Sequence, residues 1–169
     1  MKNLIFITGT SCVGKTITST RLMKLLPNCI YLDGDWCWYA DPWNVTDETK
    51  RMAEKNISFL LNSFLDCSVY DNVIFSWILR NDSMIDMVLS WLKNKKYSLH
   101  KFSLICSEEA LKSRYQNDID NNLREFGKLE SCLQGLKNHF IEMDTIKINT
   151  SDITPEQAAN IIYNHIYTK

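Results

Sequence analysis

Glycine and proline are scarce, with 5 and 3 among 169 residues, so no flexible linker or low-complexity tract divides the chain. A length of this order suits one domain with a full core. No apolar run approaches the length needed to cross a bilayer, which argues against a membrane protein. Neither sign of charge prevails: 19 Lys and Arg stand against 20 Asp and Glu, for a formal net charge of −1, and the basic residues form no runs. The electrostatic footprint of a nucleic-acid binder is therefore missing. The six cysteines, at 12, 29, 37, 67, 106 and 132, include no C-x-x-C pair and no cysteine–histidine grouping of zinc spacing. A reduced, cytoplasmic setting is the expectation, in which the acceptor sequence Asn44-Val45-Thr46 meets no glycosylation machinery. The three histidines, His100, His139 and His165, show no ligand spacing and receive no role.

What is present is concentrated near the N-terminus. Gly9-Thr10-Ser11-Cys12-Val13-Gly14-Lys15-Thr16 is a complete G-x-x-x-x-G-K-T motif. An apolar run at 4–8 precedes it with strand character, and residues 16–26 read as a helix stopped by Pro27. Strand, glycine loop and helix form the context that the motif requires. The glycines let backbone N–H groups turn inward around a phosphate, and the helix N-terminus adds partial positive charge. Lys15 is expected to reach the β- and γ-phosphates, and the Thr16 hydroxyl to ligate Mg²⁺. Cys12, inside this loop, is either a tolerated small residue or a redox-sensitive thiol. Residues 1–8 lead directly into the motif, so no cleavable signal peptide is expected before it.

Strand and helix then alternate. Strands are expected at 29–32, 73–78, 99–105 and 146–148. Helices are expected from Thr46 or Asp47, from Asp82 or Ser83, from Ser107, and from the capping box Thr154-Pro155-Glu156-Gln157. Five strands alternating with helices predict an α/β protein: a three-layer, doubly wound sandwich around a five-stranded parallel sheet. The segment 117–128 is polar and weakly periodic, and reads either as an exposed connection or as a lid that closes over nucleotide. Arg114 and Arg124 would be the useful members of such a lid, spanning about 114–128, because a guanidinium can clamp phosphate oxygens.

Asp33-Gly34-Asp35 ends the second strand, and ligands of open α/β sheets gather beyond the carboxyl ends of the strands. One acid can hold the hydration shell of magnesium while the other accepts a proton from an attacking hydroxyl. Trp36, Trp38, Tyr39 and Trp43 follow, and Trp77 ends the third strand. Such rings can sandwich a planar base, a sugar face or an apolar antibiotic ring. Arg51 and Arg80 are candidates for binding an anionic group of the acceptor.

With the N-terminal loop, the D-x-D after the second strand and the late lid, the chain resembles the P-loop small-molecule kinases: shikimate, gluconate, chloramphenicol and nucleoside monophosphate kinases. The resemblance implies the P-loop NTPase fold of the kinase type over the whole chain. It implies that Asp33 assists Mg²⁺ and Asp35 contacts the acceptor hydroxyl. It also implies that Leu111-x-x-Arg114 leads into the lid, that Arg124 is a lid arginine, and that Asn149-Thr150-Ser151 cradles the adenine. Two departures stand out. The third strand ends in Ser76-Trp77 without the usual aspartate, and the glycine cluster that shikimate kinases carry after that strand is missing.

These readings converge on a cytoplasmic kinase, monomeric or homodimeric, that uses ATP and Mg²⁺. It would transfer the γ-phosphoryl group to a hydroxyl or phosphate of a small molecule, with Lys15, Asp35 and Arg124 as catalytic residues. Gly9 to Thr16, Arg114 and Thr150 would hold nucleotide, Thr16 and Asp33 the metal, and Asp35, Trp36, Arg51, Trp77 and Arg80 the acceptor. The competing class is a regulatory ATPase that signals through its lid and has no phosphoacceptor.

Overall fold

The computed structural model describes residues 1–93, 95–123 and 127–168. Arg124, one of the expected catalytic residues, lies outside them. The order is β1 (Lys2–Thr8), α1 (Lys15–Leu25), β2 (Cys29–Asp33), a short 3-10 helix (Gly34–Trp38), α2 (Asp47–Asp66), β3 (Asn72–Ser76), α3 (Asp82–Ser90), β4 (Tyr97–Ile105), α4 (Glu108–Asp120), α5 (Leu129–Asn138), β5 (Ile146–Asn149) and α6 (Pro155–Tyr167). The strands form one sheet in the order β2-β3-β1-β4-β5, and every pairing is parallel. The expected α/β architecture is what the chain adopts.

The pleat explains how helices cover both faces. Successive side chains of β1 point to opposite sides. Ile5 and Ile7 join a core with α1, α4, α5 and α6, through Leu22, Leu111, Tyr115, Leu133 and Ile162. Leu4 and Phe6 join a second core with α2 and α3, through Ile57, Leu61, Leu65, Ile85 and Val88. β3 repeats the alternation, with Ile74 in the first core and Val73 and Phe75 in the second. All five of its residues are buried, as a strand covered on both faces requires.

Local signals set the element ends. Thr46 caps α2 and Thr154 caps α6, each within a reciprocal capping box. Asn81 caps α3 and Ser107 caps α4 through side chains that accept from backbone N–H groups. β3 stops at Ser76, two residues short of the span expected from its apolar run. The reason is a local turn: the Leu79 N–H donates to the Trp77 carbonyl at 3.1 Å. The Thr8 hydroxyl then fastens that turn to the end of β1, donating to the Leu79 carbonyl at 3.0 Å and accepting from the Leu79 N–H at 2.9 Å. The expected lid segment also differs, because residues 114–120 belong to α4 and only 121–128 connect it to α5.

The fold places β1 between β3 and β4, so connections from β1 and β3 depart on either side of it and leave a crevice above its carboxyl end. The loop at 9–14 occupies that end. Phe75 is fully buried and meets Phe6 edge-on at 5.3 Å beneath it. Phe75→Ala should therefore lower unfolding free energy by about 3–5 kcal/mol, measured by urea denaturation. A loss under about 1 kcal/mol would contradict this packing.

Candidate active site

Gly9 has φ +147° and Gly14 φ +102°, both in the region that favours glycine. A Cβ at Gly9 would also lie 2.6 Å from the Leu104 carbonyl oxygen and 2.8 Å from Val13 Cγ1, so no other residue fits. Gly14 is the N-cap of α1, and Lys15 opens the helix, whose N-terminal end faces the loop. The Lys15 ammonium lies back across the loop and donates to the Thr10 carbonyl at 2.9 Å. Residues 11–18 line a cleft of about 750 Å³ that also takes in Asp35, Arg114, Asn117, Asp118, Thr150 and Pro155.

At the floor of the site is Asp33, only 4% exposed. Its Oδ2 accepts from the Thr16 hydroxyl at 2.8 Å and from the Tyr31 hydroxyl at 2.9 Å. Its Oδ1 accepts from the Asp35 N–H at 3.1 Å, which turns the chain into the 3-10 helix. Thr16 spends its proton on Asp33 and keeps oxygen lone pairs for the cleft. Among the described residues, no three His, Cys, Asp or Glu side chains gather as a metal cage. Thr16 with Asp33 behind it fits a Mg²⁺ ion that keeps most of its coordination for phosphate oxygens and water.

Asp35 lines the cleft beside Lys15 and remains solvent-accessible. Desolvation is the first cause that raises its carboxyl above the ordinary aspartate value, and the nearby Asp33 charge is the second. Lys15 and the Trp77 indole oppose the shift, and its solvent access moderates it. Cys29, Cys37 and Cys106 are poor nucleophiles, since burial raises each thiol and brings Cys29 to about 12. Cys12 is half-buried in the loop at φ 63°.

The structure thus brings together the loop, Lys15, Thr16, Asp33, Asp35, Arg114 and Thr150. Arg114 does so in an unexpected way. Its guanidinium donates to the Val13 carbonyl at 3.3 Å, to the Thr150 hydroxyl at 3.0 Å and to the Thr150 carbonyl. It ties the phosphate loop to the β5–α6 connection. Arg80 is exposed and lines a separate cavity of about 50 Å³ with Thr10, Ser11, His139 and Gly135. Trp36 is 58% exposed and meets Tyr31 edge-on at 5.1 Å. Trp77 is half-buried against Gly34 and Phe75. Arg51 stands exposed on α2 and lines none of these cavities.

Two features escaped the sequence reading. Thr10 is buried and donates to the Cys132 carbonyl of α5 at 2.9 Å, with Gly135 so close that a Cβ there would lie 2.8 Å from the Thr10 hydroxyl. A lone glycine inside a helical run was the available signal for that approach. The other is Tyr31, which shares a strand face with Asp33 at i and i+2.

A family model described as an AAA domain matches residues 5–132. Comparison with curated protein sequences returns no match. Among solved structures, the chain is similar to a tunicamycin resistance protein of Deinococcus radiodurans (20% identity, TM-score 0.73, covering 99% of this chain and 96% of that one). It is similar to a sugar kinase from Janibacter sp. HTCC2649 (16%, 0.71, 98% and 95%). It is also similar to the shikimate kinase of Acinetobacter baumannii (18%, 0.65, 99% and 94%). Likeness at these identities establishes the fold, a P-loop kinase-like one over nearly the whole chain.

A Cβ at Gly34 would lie 2.4 Å from Trp77 Cγ. Gly34→Ala should destabilise by about 1–3 kcal/mol through overpacking, and by much less in a Trp77→Ala background. Equal costs in both backgrounds, read from thermal unfolding, would show that the indole is not what excludes the side chain.

Proposed function

The chain belongs to the AAA-domain family, and from that we propose that it is an ATP-dependent kinase that phosphorylates a small molecule. The observation that carries the reading is Asp35. It is a carboxylate with raised proton affinity in the same cleft as the phosphate-loop lysine, one turn of chain from a second acid already saturated with donors. A nucleotide switch has no use for such a base. The fold neighbours that are kinases by name add support.

In this mechanism, the backbone of residues 9–14 and Lys15 hold the triphosphate, with Lys15 exchanging the Thr10 carbonyl for phosphate oxygens. Bound Mg²⁺ would supply charge neutralisation on the β- and γ-phosphates. Thr16 would hold it directly, and Asp33 would orient Thr16 and the surrounding water. Asp35 accepts the proton of the acceptor hydroxyl as that oxygen forms its bond to the γ-phosphorus. The bond to the β,γ-bridging oxygen breaks, and ADP leaves. Arg114, committed to Val13 and Thr150, keeps the nucleotide side of the cleft in shape, so Arg124 is the arginine assigned to the transferring group.

The acceptor enters beside Asp35, where the exposed face of Trp36 offers a flat surface and Trp77 backs the turn. Arg80 shares its small cavity with Ser11, which also lines the main cleft, and would meet an anionic substituent of the acceptor there. Arg51 draws no support from its position. No helix among the described residues is long and apolar enough to span a membrane, which is consistent with the cytoplasmic setting we assign.

Lys15→Ala should abolish measurable Mg-ATP binding in calorimetry while the fold survives. Asp35→Asn should leave Mg-ATP affinity nearly intact and cut transfer by roughly 10²–10⁴-fold. Because the Asp35 pKa is raised, activity should fall as pH drops through a value above that of an ordinary aspartate, and the asparagine variant should lack that limb. Wild-type transfer by Asp35→Asn would overturn the mechanism. A panel of nucleosides, sugar acids and antibiotics that never accelerates ATP consumption would favour the regulatory ATPase instead.

Arg124→Ala should lower kcat with little change in the dissociation constant for ATP, because a contact made only during transfer leaves ground-state binding alone. A matched loss in both would place its contact in the ground state.

A further inference from the structure

β3 ends in Ser76, without the aspartate usual in the kinases the chain resembles, and Ser76 is fully buried. It pairs in register with Asp33 on the neighbouring strand. Between them lies the hydroxyl of Tyr31, a residue 8% exposed. That hydroxyl is 2.9 Å from Asp33 Oδ2 and 2.7 Å from the Ser76 hydroxyl. A phenol carries one proton, and here it goes to the carboxylate. Ser76 must therefore donate to the Tyr31 oxygen. The result is a directed chain of hydrogen bonds from Ser76 through Tyr31 to Asp33.

We propose that Tyr31, anchored by Ser76, is the positioning residue that sets cation affinity at Thr16. This rests on the reading of Thr16 and Asp33 as the magnesium-holding pair. Asp33 Oδ2 takes two hydroxyl donors, Thr16 at 2.8 Å and Tyr31 at 2.9 Å, from different elements. With Tyr31 in place the carboxylate is fixed, and Thr16 is fixed in turn with its lone pairs toward the cleft. Without it, Asp33 retains one fewer donor in a site that water barely enters. Its carboxylate would rotate toward other partners, and Thr16 would lose its orientation. Buried partners that orient a metal ligand commonly change metal affinity by about 10–100-fold when removed. The assignment also gives the serine at the end of β3 a part in the site. Serine and tyrosine together brace the one acid that is there.

Tyr31→Phe tests this cleanly, because it keeps the ring that packs edge-on against Trp36 and removes only the hydroxyl. The measurement is Mn²⁺ binding to the full chain saturated with ADP, followed by the electron paramagnetic resonance signal of free Mn²⁺. Wild type should show one ADP-dependent site. Tyr31→Phe should weaken that site about 10-fold, with ADP affinity measured in chelator unchanged. Ser76→Ala should weaken it in the same direction by a smaller factor, and serves as the second test should the tyrosine variant fail to fold. A Tyr31→Phe isotherm that superimposes on wild type overturns the proposal and leaves the kinase reading standing. A wild-type protein with no ADP-dependent site overturns the magnesium pair itself, and this proposal with it.

Discussion

A carboxylate shut away from water must be met by donors, and Asp33 obtains them from three directions. Thr16 reaches it from the first turn of α1, Tyr31 from its own strand, and the Asp35 N–H from the turn that follows. Each donor fixes something else. Thr16 locks the start of α1, and with it the phosphate loop, against the end of β2. The Asp35 N–H bends the chain sharply enough to begin a 3-10 helix, which swings the second acid out of the sheet and into the cleft. Removing the Asp33 carboxylate would leave three donors without a partner, the buried Tyr31 hydroxyl among them, and the geometry of loop and turn together would be lost.

The same hub divides labour between the two acids of D-x-D. Asp33 has its oxygens engaged by two hydroxyls and a backbone N–H, so it is placed to orient partners. Asp35 contributes its N–H to that arrangement but leaves its carboxylate facing the cleft, where desolvation and the Asp33 charge raise its proton affinity. Two neighbouring carboxylates with surroundings this different are suited to different tasks. Gly34 makes the separation possible. Its missing side chain lets the Trp77 indole lie on the backbone between the two acids, and that indole helps hold Asp35.

Much of this was legible in the chain, because local rules carried it. The glycine loop has a short motif with a backbone reason for each residue, and the strands are apolar runs with turn signals between them. Capping residues at Thr46, Ser107 and Thr154 mark their helix starts in the sequence and in the structure alike. What was not legible depends on partners distant in sequence. Arg114 reads as a phosphate-binding guanidinium, yet its donors go to Val13 and Thr150, 101 and 36 residues away. The Tyr31 hydroxyl finds Ser76 across 45 residues, only because β2 and β3 pair in register. The early end of β3 follows from the hold of Thr8 on Leu79 rather than from any feature of the apolar run itself.

The long-range contacts also tie the two helices on either side of 121–128 to the glycine loop. α4 precedes that segment and α5 follows it, and each grips the loop directly. Arg114 of α4 holds the Val13 carbonyl, and the Cys132 carbonyl of α5 accepts from Thr10. A shift of either helix therefore pulls on the loop backbone from one side or the other. Each of these hydrogen bonds contributes on the order of 1 kcal/mol net, with the charged guanidinium toward the upper end of that range. Ties of that size hold the loop in one shape at rest, yet ligand binding has energy enough to break and remake them. The two helices are thus placed to act on the loop as well as to cover it, and the geometry of the loop depends on where they stand.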